Sequence, residues 1–202
     1  MKKHTILIKN GTVVNSKIQV KKDVLISNGI IKEVERDIQL QADRIIDASQ
    51  KFIIPGVIDP QVHFREPGLT HKEDIKSGAR AAVCGGITTF FEMPNTNPAT
   101  TNSKLLEKKF KIAEKSSVAN FSFFLGATPN NIDEIKNLKG NCGVKIFMGS
   151  STGDLLVDRD SDIEKIFKYC NKIIAIHSED EQVLNETAQT IKNPNFSDHP
   201  NM

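Results

Sequence analysis

Short apolar runs punctuated by turn dipeptides dominate the first fifty positions. Residues 5–9 form an apolar run that ends in Asn10-Gly11, and residues 24–27 meet 30–34 across Asn28-Gly29. Asn-Gly tolerates positive φ at both central positions of a tight hairpin, so this second pair reads as two antiparallel strands. Residues 44–47 read as another short strand. The pattern predicts a small β module over residues 1–51.

From Phe52 the rhythm changes. Residues 52–58 read as an apolar strand broken only by Pro55-Gly56. A helix follows over about 73–84, with Ile75, Ala79, Ala82 and Val83 on one face and Gly85-Gly86 ending it. The spacing then predicts strands over 87–93, 119–126, 143–148 and 173–177. Helices are expected over about 103–115, 131–138, 160–170 and 179–191. Near-continuous apolar strands alternating with helices imply parallel strands covered by helices. The five βα units over 52–202 fit either an open doubly wound sheet or an incomplete eight-stranded barrel. The ending, 193–202, is loop-like.

Composition narrows the picture little. With 38% hydrophobic and 26% charged residues and a net charge of +2, nothing points to nucleic acid or a membrane surface as partner. Lys9 and Asn10 interrupt the N-terminal apolar stretch too early for a secretory core, and no run approaches transmembrane length. Cys84, Cys142 and Cys170 are too far apart for a thiolate zinc site and read as buried free thiols. These features together predict a cytoplasmic protein.

Candidate chemistry lies where α/β enzymes place it, after the strands. The first strand runs into Asp59, Gln61, His63 and Arg65, and the second into Glu92 and Asn95. The fourth contains Lys145, and the fifth ends on His177. In an extended segment Asp59, Gln61 and His63 share a face, which Arg65 continues if extension persists. Alternating ligands can reach one metal ion, although these three fit a hydrogen-bonded structural cluster equally well. Lys145 sits where both faces of a parallel strand are buried, so it needs a carboxylate partner, an exit to the strand end, or carbamylation to an anion. His4, His71 and His199 read as solvated or structural. The loop over 149–154 reads either as a contact near the site or as a turn.

Four stretches carry a family resemblance: Pro55-Gly-Val-Ile-Asp-Pro-Gln-Val-His-Phe-Arg-Glu-Pro-Gly68, Phe91-Glu-Met-Pro-Asn-Thr96, Gly143-Val-Lys-Ile-Phe-Met-Gly-Ser-Ser-Thr-Gly153 and Ala175-Ile-His-Ser-Glu-Asp180. In this order they resemble the cyclic amidohydrolases, and His63-Phe-Arg65 is similar to the dihydroorotases among them. The resemblance implies an incomplete TIM-type amidohydrolase barrel preceded by a small β-sandwich module. It implies two zinc ions, with His63 on the more buried one, carbamylated Lys145 bridging both, and His177 on the second. Arg65 and Asn95 would hold the carboxylate of dihydroorotate or N-carbamoyl-L-aspartate, the small-molecule partner. Arginine's planar fork suits that carboxylate.

Two departures qualify the pattern. Gln61 stands where most relatives have a histidine ligand, and it either coordinates through its amide oxygen or hydrogen-bonds behind the ligands. A further histidine ligand and the catalytic aspartate would fall beyond residue 202, so a fragment of a chain about twice as long is expected. Three alternatives stand beside a dihydroorotase: a dihydropyrimidinase, an allantoinase, or a non-catalytic scaffold that partners aspartate transcarbamoylase. Self-association is left open.

Overall fold

The computed structural model describes residues 4–149 and 155–190. Two units divide the chain, Met1–Gly56 and Val57–Met202.

In the first unit the strands are β1 (Thr5–Lys9), β2 (Thr12–Val14), β3 (Gln19–Lys21), β4 (Asp23–Ser27), β5 (Ile30–Glu35), β6 (Arg44–Asp47) and β7 (Phe52–Ile53). They form two sheets, ordered β5-β4-β1-β6 and β3-β2-β7. The β4–β5 hairpin turns on Asn28 at φ 53° and Gly29 at φ 75°, the geometry that the dipeptide predicts. Buried Asp23 accepts from Asn10 N at 2.9 Å and from Ile38 N at 3.0 Å. Strands β2 and β3, of three residues each, leave no readable alternation and go unpredicted. Phe52 and Ile53 pair with β2, so the apolar stretch over 52–58 is two strands rather than one.

The second unit alternates β8 (Val57–Val62), α1 (Ile75–Cys84), β9 (Ile87–Glu92), α2 (Ser103–Ser116), β10 (Asn120–Gly126), α3 (Ile132–Lys136), β11 (Gly143–Phe147), α4 (Asp160–Tyr169), β12 (Ile173–His177) and α5 (Glu181–Thr190). The five strands pair in chain order, all parallel. A doubly wound sheet reverses its order part-way, whereas a barrel adds each strand beside the last. This sheet is therefore a curled, incomplete (β/α)8 barrel.

One packed layer lies between sheet and helices. Ile75 and Ala79 of α1, Leu106 and Ala113 of α2, and Ile166 of α4 join Phe90, Phe123, Leu125, Val144 and Ile146 in one cluster. The helix-side strand residues alternate with Phe91, Phe124, Lys145 and Phe147, which occupy the opposite face. Asp74 caps α1 by accepting from Ser77 N at 2.7 Å, and Asn102 caps α2 from Leu105 N at 2.9 Å. Val83, expected on the buried face of α1, is exposed instead, and Gly78 takes its place in contact with the core. The three cysteines are free as expected but not buried: Cys84 is exposed, Cys142 and Cys170 half-buried. Among the described residues no helix is long and apolar enough to cross a membrane.

Gly78 admits Phe64 against the helix, since a Cβ there would come within 2.5 Å of the ring. Gly78→Ala should therefore destabilise the intact protein by about 1–3 kcal/mol through overpacking. Gly85→Ala, whose Cβ would meet nothing closer than 3.5 Å, should be near neutral in thermal unfolding. Equal effects of the two would contradict this packing.

Candidate active site

The carboxyl ends of the strands are linked one to the next by main-chain hydrogen bonds. Met93 N donates to Val62 O (3.0 Å), Gly126 N to Thr100 O (2.8 Å), Ala127 N to Lys145 O (2.8 Å) and Met148 N to His177 O (3.0 Å). Such ties fix the backbone from which each candidate side chain projects.

At the first end, β8 does not keep its alternation. Between the pairs Asp59↔Phe90 and Val62↔Glu92, two residues of β8 are set against one of β9. This bulge re-aims the strand. Val62 and Phe64 pack on the helix-side core, so Gln61 and His63 point to the other face. Asp59, in register with helix-side Phe90, falls out of phase with them, and its carboxylate accepts from Gln61 N at 3.0 Å. The expected common face of Asp59, Gln61 and His63 is thus confined to the last two. Extension also stops before Arg65, which sits at φ 69° in the left-handed region.

That strained backbone is held from below. Arg65 N donates to Glu92 Oε1 at 2.9 Å, and Glu92 Oε2 lies 2.8 Å from Lys109 Nζ. Both side chains of this ion pair are fully buried, and Lys109 also donates to Met93 O at 2.9 Å. Burial pushes Glu92 upward and Lys109 downward in pKa, each opposed by the charge of the other.

Above the pair, the segments 62–67 and 93–97 are laced together. His63 Nδ1 is 2.8 Å from Asn95 Oδ1, Arg65 Nη1 donates to Asn95 O at 3.4 Å, and Asn97 N donates to Pro67 O at 3.0 Å. With the proton on Nδ1, Asn95 Oδ1 accepts it and Nε2 is left as the lone-pair nitrogen. Burial holds the His63 pKa below its usual value, which favours this neutral form.

Lys145 is 2% exposed, on the same face as Phe147, whose ring centroid is 5.0 Å from Nζ. Among the described residues no carboxylate lies within ion-pair distance of Nζ, and burial alone lowers its pKa. His177, in register with Phe147, stands 6.2 Å from that ring, and its Nε2 is 3.0 Å from Glu179 Oε2. Lys145 and His177 therefore share the face to which His63 points. His4 and His71 are exposed; His199 and residues 150–154 lie outside the described residues.

A model of dihydro-orotase-like proteins matches residues 50–196. The chain belongs to the dihydroorotase-like family. It is 38% identical over 177 residues to a dihydroorotase of Methanosarcina acetivorans, covering 84% of this chain and 38% of that protein. A dihydroorotase of Carboxydothermus hydrogenoformans is 52% identical over 103 residues, half of this chain and 24% of the relative. Among solved structures, L-hydantoinase (dihydropyrimidinase) from Arthrobacter aurescens superposes with a TM-score of 0.86 at 30% identity, covering 91% of this chain and 43% of the hydantoinase. The chain thus spans about two-fifths of the length of such relatives.

In this dihydroorotase-like chain the residues singled out by sequence fall into two groups. Asn95 touches both His63 and Arg65, while Lys145 and His177 flank Phe147, Lys145 on β11 and His177 on β12. Among the described residues no three His, Cys, Asp or Glu side chains converge as a metal group. The donors that remain nevertheless fit a metal: a neutral imidazole oriented by Asn95, and a buried amine with no counter-charge. Lys109 escaped the sequence reading, because Lys108-Lys109-Phe110-Lys111 resembles a solvated helix face. Its spacing from Leu106 and Ala113, on the apolar stripe of α2, was the available signal.

The half-buried His63 should titrate below its ordinary value of 6.5. Below that pH the unfolded chain binds the proton more readily than the folded one, so His63 withdraws stability as pH falls and contributes nothing above it. NMR titration of the ring protons in the metal-free intact protein should give a midpoint under 6.5. A midpoint at or above 6.5 would contradict its burial.

Proposed function

We propose that the intact protein is a dihydroorotase, hydrolysing the ring amide of (S)-dihydroorotate to N-carbamoyl-L-aspartate and forming it in reverse. The observation that carries this reading is Arg65, fixed against Asn95 on the rim that also holds His63. Both substrate forms carry an exocyclic carboxylate, which hydantoin and allantoin lack. Arg65 offers that carboxylate a planar, permanently charged fork, and Asn95 Nδ2 adds a neutral donor while its Oδ1 orients His63.

His63 Nε2, Lys145 and His177 are the residues of this chain that would hold zinc, with Gln61 beside them as a further oxygen donor or as a hydrogen-bonding support. Lys145 suits the bridging role as a carbamate: the neutral amine adds to carbon dioxide, a nitrogen–carbon bond forms and one proton leaves. Burial favours the neutral amine from which that reaction starts. Bound zinc supplies Lewis acidity toward the ring carbonyl and lowers the pKa of a water. Lys145 is 2% exposed and Phe147 4%, so bulk water has little access to that amine. The reading carries with it a cytoplasmic enzyme of pyrimidine synthesis acting on a small molecule.

The likeness to L-hydantoinase favours a second reading, a cyclic amidohydrolase for hydantoin-type rings. Arg65 argues against it. Turnover of dihydroorotate should exceed that of hydantoin and allantoin by the intact protein; the reverse preference would overturn the assignment. Arg65→Ala should raise KM for dihydroorotate by about tenfold or more, and unchanged KM and kcat would remove the carboxylate role. Lys145→Ala should lose metal together with about a hundredfold or more of activity, partly restored by short carboxylic acids. Metal content equal to that of the parent would count against a bridging carbamate. A metal-free, inactive parent protein would favour a scaffold instead.

A further inference from the structure

We propose that Lys109, on the far side of the sheet from the candidate site, is the positioning residue for the carboxylate-binding arginine. This rests on the reading of Arg65 as the residue that takes the substrate carboxylate.

Three contacts link Lys109 to the loop of Arg65 and Asn95. Arg65 has left-handed backbone geometry, unfavourable for a side chain larger than glycine. Its N–H is fixed by Glu92 Oε1 at 2.9 Å. Glu92 is 0% exposed, and an unpaired carboxylate there would turn toward water and give up Arg65 N. The carboxylate is retained because Lys109 Nζ lies 2.8 Å from its second oxygen. Lys109 is itself 0% exposed, packed with Nζ 5.0 Å from the Phe123 ring centroid, and its remaining bond goes to Met93 O. It therefore ties the strand end leading to Asn95 as well as the acceptor of Arg65. A lysine present only for solubility would not occupy this place.

The pair is too costly to be explained by stability alone, since two buried charges are often replaceable by apolar residues without loss. Its geometric product, a fixed Arg65 N–H, explains why the charges are kept.

The test uses the intact, metal-loaded protein and steady-state kinetics on dihydroorotate. Lys109→Met should raise KM by about tenfold with kcat within about threefold and metal content unchanged. Adding Glu92→Gln should recover most of that loss, because an amide oxygen accepts from Arg65 N without a buried charge. A folded Lys109→Met protein with the parent's KM would overturn the proposal, and so would a double variant no better than the single one. Should Lys109→Met not fold, Lys109→Met with Glu92→Leu is compared with Lys109→Met with Glu92→Gln. The leucine version, lacking an acceptor, should show the higher KM by about tenfold; equal values would overturn the proposal. Arg65→Ala measured alongside separates the two ideas. If it is without effect while Lys109→Met raises KM, the arginine reading fails and Lys109 acts through Asn95 instead.

Discussion

A carboxylate and an ammonium buried together beneath the sheet organise the carboxyl end of this barrel. Each of Glu92 and Lys109, taken singly out of water, would cost several kcal/mol, and loss of one partner would cost about 3–5 kcal/mol. Their separation of 2.8 Å, with the second carboxylate oxygen on Arg65 N and the ammonium also on Met93 O, meets that cost with hydrogen bonds on each side. The pair thereby couples α2, which faces away from the candidate site, to the loop that lines it.

The rest follows from how the strands are laid down. Parallel strands in chain order put the helix-side residues, the Glu92–Lys109 pair apart, into one apolar layer and leave a second face on which Gln61, His63, Lys145 and His177 fall. Main-chain bonds from each strand end to its neighbour then set the spacing of those side chains. The apolar layer provides rigidity; the opposite face, where these polar side chains stand among Phe91, Phe124 and Phe147, is free to carry chemistry. Lys145 marks the border most clearly, since its neighbours Val144 and Ile146 belong to the helix-side core.

Much of this was legible in sequence, and the misses have physical causes. Long elements with strong periodicity were found within a few residues, from α1 to β12. Strands β2 and β3 were not, because three residues carry no period, and β7 was merged with the start of β8 into one strand. Periodicity alone left barrel and doubly wound sheet open, because strand pairing is non-local; the four family motifs implied the incomplete barrel that the strand order bears out. Asp59 was placed on the wrong face, because a bulge inserts one residue that apolar patterning does not reveal. Whether extension persisted to Arg65 was open in the sequence, and its left-handed turn is held by Glu92, twenty-seven positions away. Lys109 was overlooked since its sequence neighbours are charged, while its surroundings in the fold are not.

Amide hydrogen exchange at Arg65 tests the central coupling most directly. Arg65 lies beyond the end of β8 in a half-buried loop, where an N–H bonded only to water would exchange quickly. If the Glu92–Lys109 pair holds that N–H, it should exchange as slowly as the amides of β9 and far more slowly than that of Gly68. Exchange of Arg65 at the rate of its exposed loop neighbours would contradict the account.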